Sequence, residues 1–485
     1  MVFSSHLFLF YFLPFALLLY YAAPRWGKHL MLTLLSYAFY GWANPAFMAL
    51  MLTSTAIDYV CGLTIAQQFR QSWRQPMRRL EPGGPRTRVQ RTALVVSLCS
   101  NLSLLGFFKY FNFAAANYDV LVKSLGLSAL ALDTTLRITL PLGISFYTFQ
   151  SMSYSIDCYR GHATAIRNPI DFACYVAMFP QLVAGPIIRF SEIDDQLRSR
   201  THTLEKFARG AAFICMGLAK KVLLANPCGK IADMTFDAGS VACGDAWFGV
   251  TAYAFQIYFD FSAYSDMAIG LGLMLGFVFP KNFDSPYHSA SITEFWRRWH
   301  LSLSSWLRDY LYIPLGGNRR GGGRTYVNLA MVMLLGGLWH GAAWNFLIWG
   351  GIHGLLLAAE RMGGKQSIYR GLPRPFRVGF TFVIVLFAWV FFRAVDLPTA
   401  VRYCGSMLGL VGPKDTAGMV AGVIYQPYYL VTFAVAAGIT WAGSQTWDFT
   451  RRITWPKVIL ILVMFWLAIV GLTTQEFNPF IYFIF

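Results

Sequence analysis

Apolar stretches about twenty residues long, the length that a membrane-spanning helix needs, recur from one end of this 485-residue chain to the other. No other feature narrows the fold as sharply. A segment inside the bilayer core finds no water, so it must satisfy its backbone polar groups as a helix or in a closed barrel. The apolar–polar alternation of membrane barrel strands is missing here, which leaves helices. Composition agrees: 56% of residues are hydrophobic, 17% aromatic and only 13% charged, against about 25% charged in soluble domains. An ordinary cytosolic enzyme is excluded.

The sequence therefore predicts an all-α polytopic integral membrane protein, with eleven or twelve spans in one domain over 1–485. Candidate spans lie near 7–23, 30–43, 46–66, 93–110, 138–156, 171–188, 207–225, 247–278, 327–358, 378–394, 422–441 and 457–474. The 247–278 and 327–358 stretches are long. Each reads either as a tilted span with an extension or as two helices broken at glycine. The first apolar segment, from Phe8 to Tyr21, lacks a basic leader and a small-residue cleavage site. It reads as a retained span and not as a removed signal peptide.

The formal net charge is +17. In a soluble chain that would suggest nucleic acid, but here the cations sit in short loops between spans. The positive-inside rule accounts for them, and the expected partner is the lipid bilayer, with no nucleic acid. The loop 67–92 holds Arg70, Arg74, Arg78, Arg79, Arg86, Arg88 and Arg91 against Glu81, which makes it cytoplasmic. The turn from Arg25 to His29 and the stretches 189–209, 297–324 and 361–377 are also basic. The segments 227–246 and 396–415 carry Asp233, Asp237, Asp245, Asp396 and Asp415 with few cations and face outward. The N-terminus is then predicted outside the cytoplasm. Eight scattered cysteines show no CxxC pair, so neither a disulfide framework nor a metal cluster is expected.

Two stretches could carry chemistry. Gly336-Gly337-Leu338-Trp339-His340-Gly341 places an ionisable ring in an apolar run, which is costly in lipid and points to function. The glycines would let another backbone, or a flexible substrate, come close. A histidine can take a proton from a hydroxyl near neutral pH. The bland alternative is a core histidine bonded to a neighbouring helix. The second stretch runs from Glu294 to Tyr310. Trp296, Trp299, Leu303, Trp306, Leu307 and Tyr310 recur at helical spacing, while Arg297, His300, Ser304 and Arg308 share another face. It reads as one amphipathic helix with tryptophans at headgroup depth. Its basic face could hold the phosphates of coenzyme A or phosphopantetheine. The candidate catalytic residues are His340 and His300. Arg297, Arg298, Arg308 and Trp339 are the candidate substrate-binding residues.

Other polar groups receive structural readings. His353 falls roughly 220° from His340 on a straight helix. Asp260 and Asp266 are turned about 240° apart and read as packing partners or as counterions for a neighbouring cation. Pro141-Leu142-Gly143 and Pro180 to Pro186 break helices at membrane depth, which is tolerated only inside protein or along a cavity.

The stretches 258–270, 291–312 and 335–341, with Met1-Val2-Phe3-Ser4-Ser5 and 141–147, resemble the membrane-bound O-acyltransferases. The likeness is to their bacterial branch, which acts on alginate and teichoic acid, and it weakens after about Glu360. The resemblance implies a ring of helices around a thin core with a tunnel. It implies that His340 matches the family's catalytic histidine and His300 its second polar position. It also implies an acyl thioester donor such as acetyl-CoA on the cytoplasmic side, with no tightly bound cofactor. The expected role is O-acetylation of a secreted polysaccharide at a bacterial inner membrane. Alginate comes first, then acetylated cellulose or another exopolysaccharide. A periplasmic SGNH-type acetyltransferase and a polysaccharide biosynthesis complex are the expected partners. D-alanyl transfer to an envelope polymer is the alternative within the class. A transporter or a non-catalytic scaffold is the alternative outside it.

Overall fold

A computed structural model describes residues 2–42, 44–70, 77–132, 137–364, 367–414, 417–475 and 477–479. Met1, Arg74 and Asp415, used above, lie outside the described residues. The described residues form helices and no strand. The chain divides into two compact units, one of Met1–Thr203 with Leu275–Phe277, the other of Leu204–Met274 with Val278–Phe485.

In the first unit the helix starts are written in the sequence. Asn44 accepts from the Ala46 amide, with Pro45 at the first helical position, to begin α1 (Pro45–Ile65). Thr87 and Gln90 form a capping box at the start of α2 (Arg88–Ser124). Gly143 and Gly161, both left-handed, bound α3 (Ile144–Arg160), whose residues are almost all buried. A polar knot joins the three helices. Asp58 accepts from Ser97 Oγ at 2.6 Å and from Asn101 Nδ2 at 2.8 and 2.9 Å, and Ser97 Oγ also donates to Ser155 Oγ at 2.7 Å. A carboxylate in such a place needs its oxygens satisfied. The breaks at 141–143 and 180–186 are largely buried in protein, as their position in apolar sequence requires.

In the second unit α4 (Leu204–Ala219) packs along α5 (Cys243–Met274). The long 247–278 stretch is one unbroken helix as far as Met274. A π-helical turn, Lys220–Ala225, follows α4 and presents two adjacent lysines to α5. Lys220 meets Asp266 at 2.7 Å, and Lys221 meets Asp260 at 2.9 Å with both side chains almost fully buried. This is the counterion arrangement expected for the two carboxylates. Further on come α6 (Ile292–Trp296), α7 (Leu301–Leu307), α8 (Gly322–His340), α9 (Trp344–Met362), α10 (Arg374–Arg393) and α11 (Trp455–Thr474). The other long stretch, 327–358, is therefore two helices, α8 and α9, parted by extended backbone at Gly341 and Ala343.

Among the described residues four helices are long and apolar enough to cross a membrane: α1, α2, α10 and α11. A fifth candidate is the pair Ala417–Ile424 and Pro427–Ala442, bent by 66°. Eleven or twelve separate spans were expected. Several of the remaining apolar stretches are interrupted by bends or carry buried polar groups that neighbouring segments satisfy, as α5 does with Asp260 and Asp266.

The Lys221–Asp260 pair is expected to behave as a buried ion pair. Asp260→Ala should lower stability on the order of 3–5 kcal/mol by stranding the lysine. The double variant Lys221→Met with Asp260→Leu should recover most of it. Thermal unfolding of the detergent-solubilised protein reads both.

Candidate active site

The site is built where α8 and α9 cross. A Cβ on Gly337 would collide with the carbonyl of Phe346, and one on Gly350 with the carbonyl of Met333. Glycine at both positions lets the two backbones touch. A Cβ on Gly341 would strike the Phe346 ring. Gly336 differs. Its Cβ would meet only Leu307, at 3.4 Å, and it lines a cavity. Of the glycines before His340, one therefore serves backbone approach and the other opens space beside the histidine.

That cavity measures about 490 Å³, within the range of small-molecule sites. His340, the last residue of α8, lines it. Its imidazole is mostly buried, edge-on to Trp349 at 5.3 Å and to Phe392 at 5.2 Å. Leu303 and Ser304 of α7 line it too, with Arg297, Arg308 and Arg361. From Trp349 to Arg361 on α9 is twelve residues, or about 18 Å of helix. The cavity thus joins a buried imidazole to a set of guanidinium groups in the basic stretches of the sequence.

The segment expected as one amphipathic helix is three pieces. Glu360 of α9 accepts from the Ile292 and Thr293 amides at 2.7 and 2.8 Å, and Ser291 caps Glu294. This starts the short α6. The chain then turns at His300, whose φ is +45°, a conformation that a non-glycine residue holds only when its surroundings fix it. Helix α7 begins after it, and a π-helical turn, Arg308–Tyr312, follows. The turn corrects the face assignment. His300 is fully buried and does not share a surface with Arg297 and Arg308. The tryptophans are not simple headgroup anchors either. Trp299 and Trp306 are buried, and Trp299 packs on Trp389 at 5.0 Å in the aromatic core of the unit.

Of the residues singled out from sequence, His340, Arg297 and Arg308 come together at the cavity. Arg298 does not. It is held by Glu294 at 3.0 Å and by the Asp284 carbonyl at 3.0 Å. Trp339 is buried next to His340, off the cavity lining, with its ring 6.2 Å from that of His300. His300 itself does not line the cavity, and its ring approaches it beside Trp339. His353 accepts from Trp296 Nε1 at 3.3 Å and stacks on Phe295, a packing role. Sequence reasoning missed Trp349 and Arg361. Arg361 was visible as the first cation of the 361–377 stretch. Trp349 carried no signal of its own.

The sequence model of the membrane-bound O-acyltransferase family matches residues 92–395, a range that contains every residue lining the cavity. The chain belongs to the membrane-bound O-acyltransferase family. It is an O-acyltransferase and a multi-pass membrane protein. Among relatives of this membrane-bound O-acyltransferase, a probable alginate O-acetylase AlgI of Pseudomonas putida is 43% identical over the whole of both chains. A probable alginate O-acetylase AlgI of Azotobacter vinelandii is 42% identical, again over the whole of both. A peptidoglycan O-acetyltransferase of Helicobacter pylori is 36% identical over 85% of this chain and 80% of its own.

The two glycines separate stability from access. Gly337→Val should lower stability by roughly 1–3 kcal/mol through overpacking, read as a lower melting temperature. Gly336→Val should leave melting near wild type and depress acyl transfer in membranes by narrowing the cavity. Equal effects of the two on both measurements would overturn the division.

Proposed function

We propose that this chain O-acetylates a secreted polysaccharide, drawing acetyl from a cytoplasmic thioester such as acetyl-CoA. The observation that carries the reading is the sharing of one cavity by His340 and the cations Arg297, Arg308 and Arg361. Alginate is the leading acceptor, because relatives spanning the whole chain are named probable alginate O-acetylases. A cell-wall glycan is the second reading, favoured by the 36%-identical peptidoglycan enzyme.

In this reading His340 is the general base. The acceptor hydroxyl gives its proton to the imidazole as its oxygen bonds to the thioester carbonyl carbon. The carbon–sulfur bond then breaks, and the imidazolium returns the proton to the departing thiolate. The products are an acetyl ester and a free thiol. Arg297, Arg308 and Arg361 hold the donor phosphates, where planar guanidinium groups can bind bidentately. Arg298 and Trp339 act from behind, Arg298 by fixing the α6 turn and Trp339 by packing on His340. His300 supports the site through Trp339. The acceptor is the glycan itself or a hydroxyl of a periplasmic SGNH-type partner that passes the acetyl on, within a polysaccharide biosynthesis complex.

The location is the bacterial inner membrane, with a periplasmic N-terminus and the basic loops inside. The whole chain, 1–485, acts as one acyltransferase domain. The family match supports this, since it runs from one compact unit into the other.

The test is the acetyl content of the secreted polymer in a deletion strain complemented with wild type or with His340→Ala. Loss of a positioned base should cut acetylation about 100-fold or more, with the variant still present in the membrane. Wild-type acetylation by His340→Ala would sink the assignment. A rise in unacetylated peptidoglycan with unchanged secreted polymer would favour the second reading.

A further inference from the structure

Asn282 lies in the loop after α5 and is buried. Its Oδ1 faces three groups: the Ser302 amide at 3.3 Å, Ser302 Oγ at 2.9 Å and His300 Nδ1 at 3.2 Å. Its Nδ2 donates to Ser265 Oγ on α5 at 2.9 Å, and its carbonyl accepts from the Leu301 amide at 2.9 Å. One side chain thus ties α5 to the turn that opens α7.

The chemistry fixes the orientation of this amide. A backbone N–H can only donate, so the atom facing the Ser302 amide is the oxygen. The same oxygen faces His300 Nδ1, so Nδ1 carries the ring proton. His300 Nε2 then keeps its lone pair. It is buried and takes no hydrogen bond among the described residues. Among the described residues the hydrogen-bond and ring contacts of the imidazole are Asn282, Ser302, Phe261 at 4.6 Å and Trp339 at 6.2 Å, all uncharged. An open Nε2 lone pair can receive a hydrogen bond or a proton as substrates bind. An Nε2–H could not.

We propose that Asn282 is a positioning residue of the acyltransfer site: it holds His300 in the Nδ1–H tautomer and in its left-handed backbone turn. The same bonds pin the first turn of α7, whose Leu303 and Ser304 form cavity wall. The proposal rests on reading His300 as the second residue of the site.

The experiment measures acetyl transfer from acetyl-CoA in membranes holding the full chain and its partners, for wild type, Asn282→Asp and Asn282→Leu, with His340→Ala alongside. Asn282→Leu removes every side-chain bond. Its kcat/KM should fall about tenfold or more, since small misplacements of reacting groups cost this much. Asn282→Asp keeps the acceptor oxygen, and the Ser265 hydroxyl can turn to donate to its second oxygen. The cavity wall stays, so KM for acetyl-CoA should remain at the wild-type value. The new carboxylate favours a protonated His300, so activity should fail on the acid side at least about one pH unit higher than in wild type. A merely structural asparagine would not move that profile. An Asn282→Asp profile that coincides with wild type overturns the proposal, and it decides alone if Asn282→Leu does not accumulate. Normal transfer by His340→Ala would instead sink the general-base reading, so the two failures are distinguishable.

Discussion

The contact of α8 with α9 through Gly337 and Gly350 is the constraint on which the site depends. Because neither position carries a side chain, each backbone rests against a carbonyl of the other helix. The crossing fixes where α8 must end, and it ends on His340. Extended residues then return the chain into α9, which brings Trp349 to one side of the imidazole, while α10 supplies Phe392. The cavity is the space left along this crossing where Gly336 and α7 do not fill it.

Around that crossing the second unit handles polarity by local satisfaction. Asp260 and Asp266 are matched by consecutive lysines, which reach them because a π-turn displaces the helix after α4. Glu360 caps α6 from the next layer, and Asn282 caps α7. Each is a buried acceptor facing donors that would otherwise be orphaned, and in a dry interior such groups are costly unless paired. The aromatic cluster of Trp299, Trp349, Trp389 and Phe392 fills the remaining volume. A large aromatic core of this kind gives the cavity rigid walls.

The class of the fold was legible because lipid leaves few choices: long apolar runs become helices. The span expected near 46–66 matches α1, whereas the Thr87–Gln90 box starts α2 ahead of the span expected near 93–110. His340 stood out as a candidate because an ionisable ring in an apolar run is costly in lipid, and the structure places it on the cavity. The arginines of the cavity were legible as loop cations. Arg298 carried the same signal, and only its place off the cavity lining, held by Glu294 and the Asp284 carbonyl, sets it apart.

The sequence alone determined that this chain is helical and that it lives in a membrane, and it singled out His340 as the candidate for chemistry. Those conclusions follow from local composition and from the solvent the chain must meet. The tertiary structure alone decided that 327–358 is two helices, that His300 lies off the cavity lining, that Arg361 lies on it, and that Asn282 meets the His300 ring. Periodicity extrapolates a straight helix, and a single left-handed residue at His300 was enough to turn one face of the expected helix into the core. Which partners meet across such a turn is set by packing between distant segments, and no local pattern encodes it.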